Sequence, residues 1–280
     1  MRRCAFWFRR PAVMAVLSGA LLGGCAAVQT TGSGAVGIER KQYMSSLVSQ
    51  AALENEAARQ YSGLIGQARA HKALDVDAAQ TKRVRAIAQR LIRQVPVFRP
   101  DAARWDWQIH VLRSDEVNAW CMPGGKMAVY SGLIQRIKPS DDELGAVIGH
   151  EMAHALREHA REQVSQQMAA DIGLSILSAI TGSRAAADLG GSLNQVMFAL
   201  PNSRTHETEA DRMGVELAAR AGFDPRAAVT LWRKMGALAD GSAPAEFLST
   251  HPSPASRIAD LNQIAEQMMP LYRQAVARGK

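Results

Sequence analysis

Along most of the chain, apolar residues recur at three- and four-residue spacing, the pattern of helices that bury one face. The pattern predicts helices over 39–74, 77–94, 140–168, 203–222, 225–238 and 255–277. In the middle of the chain the period changes, because 104–112 and 126–134 alternate like strands. The stretch "NAWCMPGG" between them has the proline and glycines of a turn. The sequence therefore predicts an α+β fold, mostly α, with a small sheet in the middle.

Residues 169–200 form a stretch of small and mostly apolar residues with several glycines. Asp171, Arg184 and Asp188 interrupt this stretch, so it never reaches the roughly 18 apolar residues that a membrane span needs. We expect a buried helix here, or a helix that lines a groove.

The first 24 residues have the features of an export signal, not those of a folded element. Four arginines precede an apolar run over 11–22, which is too short to span a membrane. Residues 22–25, "LGGC", resemble a bacterial lipobox, which would make Cys25 the lipidated first residue of the mature chain. An ordinary cleavage site with a chance cysteine and an Arg-rich mitochondrial transit peptide are the alternative interpretations.

This interpretation divides the chain into a signal peptide (1–24), a flexible tether (25–40) and a single folded domain (41–280). It also predicts a lipid anchor in the bacterial outer membrane facing the periplasm, since Ala26 is not the aspartate that retains many lipoproteins in the inner membrane. Removal of the signal lowers the formal net charge from +7 to +3, and the remaining basic residues are dispersed. A nucleic-acid partner is therefore not expected, and the oligomeric state stays open.

The stretch "VIGHEMAHALREHA" places three histidines and a glutamate on one predicted helix. This helix has a strong start, since Ser140 can cap it and Glu143 completes a capping box. His150 and His154 are four residues apart, so both imidazoles lie on one face and can bind one metal ion. Glu151 beside them is placed to activate a water molecule.

The third histidine of this stretch, His159, comes nine residues after His150, which carries it about 180° around a continuous helix. The sequence therefore predicts that His159 points away from the metal and is a structural or surface residue. A catalytic zinc ion usually has three protein ligands, so one more ligand must come from elsewhere. The segment "SRTHETEADRMG" offers Glu207 and Asp211 at i, i+4 spacing, and by spacing alone either could bind the metal.

The motif "HEMAH" followed by "ETEAD" resembles the family of CAAX prenyl proteases and HtpX-type zinc metallopeptidases, and the resemblance covers about 41–268. It implies a zincin-like peptidase domain with one zinc ion per chain and Glu207 as the third ligand beside His150 and His154. Asp211 is implied to support a ligand histidine. The chain is most similar to the soluble, lipid-anchored bacterial branch, because the pattern lacks the spanning helices of the membrane-embedded branch.

Two further segments carry the same resemblance. "NAWCMPGGKMAVYSGLI" resembles the family's turn and edge strand beside the active-site helix, which can pair with an extended substrate. The substrate-binding residues implied there are Pro123, Gly124, Gly125, Lys126, Met127 and Ala128. "STHPSPASRIADL" places His251 and Arg257 at the cleft, to bind substrate or stabilise an oxyanion. His206 and Glu209, which neighbour the implied ligand, are given no role.

The sequence thus predicts a zinc-dependent endopeptidase in which Glu151 is the general base. Its expected partners are polypeptides, above all unfolded or misassembled envelope proteins, together with the membrane that holds the lipid anchor. The alternative is an envelope assembly factor or chaperone with a latent or structural zinc site. His251 as a fourth ligand would close the site in that case.

Overall fold

The computed structural model describes residues 26–181, 189–239, 246–252 and 255–279. Helices dominate these residues and small sheets accompany them, so the predicted mostly-α, α+β class is confirmed. The helices are α1 (Gln50–Ala70), α2 (Ala78–Ile92), α3 (Asp141–Leu156), α4 (His159–Thr181), α5 (Leu189–Phe198), α6 (Arg204–Arg220), α7 (Ala227–Ala239), α8 (Glu246–Thr250) and α9 (Ala255–Ala277). The strands are β1 (Ala26–Val28), β2 (Gln42–Met44), β3 (Gln108–Leu112), β4 (Ala119–Met122) and β5 (Lys126–Tyr130). The predicted signal peptide and Cys25 lie outside the described residues.

Helix α3 begins with the capping box that the sequence predicts. The hydroxyl of Ser140 accepts from the backbone N–H of Glu143 at 3.1 Å, and the Glu143 carboxylate accepts from the N–H of Ser140 at 2.8 Å. Two backbone donors at the helix start are thereby satisfied. Lys234 of α7 pairs with the same carboxylate at 2.6 Å, so the start of α3 is fixed against its neighbour.

Helices α3 and α6 pack against each other at the centre of the molecule, and two glycines set the distance between them. A Cβ atom on Gly149 would lie 2.9 Å from the carbonyl oxygen of Gly214. A Cβ atom on Gly214 would lie 2.7 Å from the backbone nitrogen of His150. Only residues without a side chain allow two helix backbones to come this close. The close approach brings the "HEMAH" motif beside the "ETEAD" segment.

The three-stranded sheet has the order β3-β5-β4, with β5 parallel to β3 and antiparallel to β4. The strand after the Pro-Gly-Gly turn, β5, is therefore central, and the prediction that it is an edge strand is wrong. The edge that borders α3 is β4, which lies in the stretch interpreted as a turn. Every residue of β4 is buried, so its sequence lacks the alternation by which a strand is recognised.

The single helix predicted from Ser140 onwards is interrupted after Leu156. Glu158 has a φ of 53°, in the left-handed region that ends a helix. The guanidinium of Arg99 fixes this break, since it donates to the carbonyl oxygen of Leu156 at 3.0 Å and pairs with Glu158 at 2.7 Å. The chain therefore turns before His159. The angle of about 180° between His150 and His159, which assumes a continuous helix, is not what the structure has.

The segment before α1 is packed onto the domain, which differs from the flexible tether predicted over 25–40. Strands β1 and β2 pair with each other, and Val36 is buried in the core. Arg40 forms ion pairs with Glu162 at 2.7 Å and with Glu209 at 2.8 Å. These partners lie 122 and 169 positions away in the chain, so a local pattern of small and polar residues could not indicate them.

The stretch predicted to be buried or to line a groove, 169–200, includes the end of α4 and the whole of α5. Helix α5 buries Leu193 and Val196, while Met197 and Phe198 line a cleft. None of the helices in the described part of the chain combines the length and the hydropathy of a membrane span.

Candidate metal centre

Four buried side chains converge between α3, α6 and the residue that follows α8: His150, His154, Glu207 and His251. Each offers one nitrogen or oxygen atom, and these atoms lie within 4.8 Å of one another. The Nε2 atoms of His150 and His154 are 3.1 Å apart. The carboxylate of Glu207 lies 3.6 Å from the first of these atoms and 3.4 Å from the second. The three residues that the sequence names as ligands therefore meet at one point.

The donor atoms of His150, His154 and Glu207 fit a zinc ion. Ligand atoms about 2.0–2.1 Å from a tetrahedral zinc ion lie about 3.3 Å from one another. The measured separations of 3.1, 3.4 and 3.6 Å lie close to this value. Oε1 of Glu207 is buried without a hydrogen-bond partner, as expected for an atom that binds a cation. Burial lowers the pKa of His150 well below its usual range and that of His154 to about 3, so both rings are neutral, the form that binds zinc.

Asp211 of α6 lies behind His150. Its Oδ1 atom is 3.0 Å from Nδ1 of His150, on the side of the ring away from the cluster. A carboxylate this close to Nδ1 favours the tautomer that carries the proton on that atom, which leaves Nε2 for the metal. This is the contact that the resemblance implies for Asp211.

Arg257 lies behind the cluster and not in the cleft. It donates to the Asp211 carboxylate at 2.8 and 2.7 Å and to the carbonyl oxygen of Pro252 at 2.7 Å. Its Nη1 atom is also 2.6 Å from Oε2 of Glu207, and its guanidinium lies over the ring of Trp232 at 4.0 Å. The prediction that Arg257 binds substrate or an oxyanion is therefore wrong, because its donors are engaged. It neutralises two buried carboxylates instead.

Glu151 and His251 face the open side of the cluster. Nε2 of His251 is 3.5 Å from Oε1 of Glu151, an atom that is buried without a hydrogen-bond partner. Burial and the nearby charge of Glu207 raise the pKa of Glu151 well above its usual range. A carboxylate shifted in this direction is suited to take up and release a proton near neutral pH. His251 is held by Thr250 at 2.9 Å and by stacking on Phe247 at 4.3 Å between ring centroids.

His159 contacts His154 directly, although the helical spacing places it on the far side. Their Nδ1 atoms are 2.9 Å apart, and Nε2 of His159 is 3.1 Å from Oε2 of Glu209. The His159 ring also stacks on His206, with 4.2 Å between centroids. No spacing rule could find these contacts, because they depend on the break between α3 and α4. His159 is thus buried beside the cluster without belonging to it, together with His206 and Glu209, which were given no role.

A cavity of about 390 Å³ opens beside Glu151 and His154. Its walls include residues of α1, α3, α4, α5 and β4 and are mainly apolar. Trp120 of β4 packs edge-to-face against Phe198 of α5, with ring centroids 5.6 Å apart. The cavity thus runs between an edge strand and a helix, next to the metal cluster.

The six residues predicted to form the substrate strand divide into two groups. Pro123 and Gly124 line the cavity. The other four lie in the turn and in the central strand, away from the cavity: Gly125, Lys126, Met127 and Ala128. The prediction of a substrate-binding edge is therefore wrong for these four, because none of them lines the cavity and β5 is paired on both sides.

The chain is similar to proteins that are named as metallopeptidases. The model of Peptidase family M48 matches residues 78–265. Mitochondrial metalloendopeptidase OMA1 of Arabidopsis thaliana is 38% identical over 174 residues, which cover 61% of this chain and 34% of the relative. The protein of the same name from Schizosaccharomyces pombe is 38% identical over 162 residues, covering 56% and 46%. The beta-barrel assembly-enhancing protease of Escherichia coli K12 is 32% identical over 222 residues, covering 75% and 44%.

The predicted location at the bacterial outer membrane is wrong by this comparison. Relatives from Arabidopsis thaliana, Schizosaccharomyces pombe, Bos taurus and Saccharomyces cerevisiae are named as mitochondrial metalloendopeptidases. An Arg-rich start is common to export signals and mitochondrial transit peptides, so the first residues could not separate the two.

The chain spans between about a third and a half of the length of these relatives. The family model nevertheless covers more than half of the chain, including the "HEMAH" motif and the "ETEAD" segment. The cluster that these two segments form has the donors that zinc requires. The chain therefore belongs to the M48 family of zinc-dependent metallopeptidases.

Proposed function

We propose that this chain is an endopeptidase in which His150, His154 and Glu207 bind zinc and Glu151 is the general base. The observation that carries the proposal is the position of Glu151. Its carboxylate is buried, has a free oxygen, and lies on the wall of a cleft directly beside the ligand cluster. A carboxylate in that position can move a proton between a water molecule and a peptide bound in the cleft.

Zinc at this site supplies a Lewis acid that polarises the peptide carbonyl and lowers the pKa of water. The carboxylate of Glu151 accepts the proton of the attacking water and later delivers it to the nitrogen of the leaving amine. Asp211 keeps the proton of His150 on Nδ1, so that Nε2 stays free for the metal. Burial raises the pKa of Glu207, and the guanidinium of Arg257, 2.6 Å from its Oε2 atom, counteracts this shift and favours the charged carboxylate.

Extended polypeptides are the substrates that suit this cleft. Among the described strands, β4 pairs on one side only, so its other edge can accept a substrate strand through backbone hydrogen bonds. The apolar walls favour the apolar side chains that unfolded proteins expose. The name of the Escherichia coli relative refers to β-barrel assembly. By analogy, we propose unfolded or misassembled proteins as the substrate class.

A second candidate function rests on His251. Its side chain belongs to the four-residue cluster and lies 3.5 Å from Glu151. As a fourth ligand it would close the site, and closed zinc sites are structural. The chain would then act as an assembly factor that holds unfolded proteins along β4 without cutting them.

Cleavage of casein, with the products identified by mass spectrometry, separates the two functions. We expect cleavage by the wild type, none by Glu151→Gln, and faster cleavage by His251→Ala if His251 restrains the site. Absence of cleavage in all three proteins, with zinc bound in each, would favour the assembly factor. Full activity of Glu151→Gln would contradict the proposed mechanism.

A further inference from the structure

A buried chain of side chains connects His154 to a carboxylate that the proposed mechanism does not use. Nδ1 of His154 is 2.9 Å from Nδ1 of His159, and Nε2 of His159 is 3.1 Å from Oε2 of Glu209. His154, His159 and Glu209 are all buried. The contacts lead from the side of His154 opposite the metal cluster to α6, and His159 also lines the cavity.

The hydrogen-bond partners determine which ring nitrogen carries each proton. Nε2 of His154 faces His150 and Glu207, so it binds metal only when the proton is on Nδ1. That Nδ1–H must donate to Nδ1 of His159, which leaves the His159 proton on Nε2. The contact with Glu209 requires the same tautomer independently, because a carboxylate oxygen can only accept a hydrogen bond. The contact at His154 and the contact at Glu209 thus require the same positions for the ring protons.

Two arginines hold Glu209 in place. The fully buried guanidinium of Arg157 contacts the Glu209 carboxylate at 3.0 and 3.3 Å, and that of Arg40 contacts it at 2.8 and 3.0 Å. Arg157 also donates to the hydroxyl of Thr31 at 3.1 Å, within the folded N-terminal segment. The carboxylate therefore has little freedom to leave His159 or to rotate away from it.

The ring of His159 is held on its face as well as on its edge. It stacks on His206 with 4.2 Å between centroids and 9° between planes. Nε2 of His206 contacts Glu162 at 3.2 Å, and Arg40 pairs with Glu162 at 2.7 Å. Arg40 thus fixes both the carboxylate and the stacking partner of His159.

We propose that His159 and Glu209 position His154 for zinc, and that the N-terminal segment completes this support through Arg40. Neither His159 nor Glu209 belongs to the metal cluster; both act through His154 by fixing its ring and its proton. The proposal rests on the zinc site of the proposed function, but it does not depend on peptide hydrolysis.

The test measures zinc affinity by competition with a chelator of known affinity. His159→Leu removes the acceptor for the His154 proton, so we expect zinc binding to weaken about 10- to 100-fold. His159→Asn keeps an acceptor oxygen near the position of Nδ1, so we expect it to restore most of the affinity. Val84→Ala is the matched control, because it trims the buried core in α2 outside the cluster and should leave zinc affinity unchanged.

A second measurement needs no variant. Long-range proton–nitrogen correlations in the zinc-loaded wild type identify the protonated nitrogen of each ring. We expect His154 to carry its proton on Nδ1 and His159 to carry its proton on Nε2. A His159 proton on Nδ1, or on both nitrogens, would overturn the proposal. A merely structural role for His159 does not predict either tautomer.

The outcomes separate this proposal from the proposed function. If the wild type binds no zinc, the zinc site fails and the proposal fails with it. If the wild type binds zinc and His159→Leu binds it equally well, the support through His159 is wrong while the zinc site stands. If the wild type binds zinc and both His159→Leu and His159→Asn bind it weakly, an acceptor beside His154 is not sufficient, and the proposed role of His159 as that acceptor is overturned.

Discussion

The two histidines of the "HEMAH" motif are held by two different sets of contacts. We call the contact of His150 with Asp211 the short support, and the contacts of His154 with His159 and Glu209 the long support. His150 meets a carboxylate directly, with Asp211 at 3.0 Å. His154 meets a second imidazole, His159, and reaches the carboxylate of Glu209 only through that ring. Both supports end in a buried carboxylate on α6, and both carboxylates are paired with arginine.

The difference lies in how much of the chain each support requires. The support of His150 needs only α3, α6 and one arginine of α9. The support of His154 needs the break after α3, two positions of α6, and Arg40 from the N-terminal segment. The short support joins residues of the "HEMAH" motif and the "ETEAD" segment. The long support links the metal site to the N-terminal segment through Arg40. The two are therefore expected to respond differently to substitution.

The largest effect is expected from Arg257→Gln, which removes the cation shared by Glu207 and Asp211. Two buried carboxylates then lose their partner, and the zinc-free protein should lose about 3–5 kcal/mol of unfolding free energy. Zinc should reduce the loss, because the bound cation offsets the charge of Glu207. Urea unfolding with and without zinc measures both values. Arg226→Gln is the control, since Arg226 lies on the surface and should leave the midpoint unchanged.

Both supports depend on the close packing of α3 on α6, which Gly214→Ala disturbs. The new methyl group would lie 2.7 Å from the backbone nitrogen of His150, so we expect a loss of about 1–3 kcal/mol in thermal unfolding. Gly236→Ala in α7 is the matched control, because no atom lies within 4 Å of its Cβ position. That control should gain about 0.5–1 kcal/mol. Equal stabilities of the two variants would contradict this role of the glycine.

Zinc affinity compares the two supports directly. Asp211→Asn and Glu209→Gln should each weaken zinc binding, within about 10- to 100-fold. Asp211→Asn should lie at the upper end, because Asp211 contacts a ligand histidine, and Glu209→Gln at the lower end, because its effect passes through His159. Chelator competition on both proteins gives the ranking. The reverse order would show that the longer support is the more important one.

The smallest effect is expected from Arg40→Gln. Arg157 still pairs with Glu209 in this variant, so zinc binding should weaken by less than about 10-fold. Lys41→Gln changes the net charge by the same amount at an exposed neighbouring position and should leave the affinity unchanged. Identical zinc affinities for wild type, Arg40→Gln and Lys41→Gln would show that the N-terminal segment does not help to position His154.

The short support was largely predictable from the sequence. The i, i+4 pairs of His150 with His154 and of Glu207 with Asp211 require only helical periodicity, and the capping box at Ser140 fixes where α3 begins. The resemblance to the family then chooses Glu207 over Asp211 as the implied ligand. These features are local, so the sequence carries them directly.

The long support could not be predicted because it depends on tertiary structure. The left-handed conformation of Glu158 has no signal in its residue type, yet it redirects the chain and places His159 against His154. Arg40 finds its partners only after the N-terminal segment has packed onto the domain. Strand β4 was interpreted as a turn for a similar reason, since a fully buried strand shows no alternation.

The central claim is that one zinc ion and the carboxylate of Glu151 act together in peptide hydrolysis. The most direct measurement removes zinc from the wild type and from Glu151→Gln with a chelator, and then titrates zinc back while casein cleavage is followed. We predict that both proteins bind one zinc ion per chain, and that cleavage returns at this stoichiometry in the wild type alone. Cleavage that returns equally in Glu151→Gln, or that persists in the wild type without zinc, would contradict the claim.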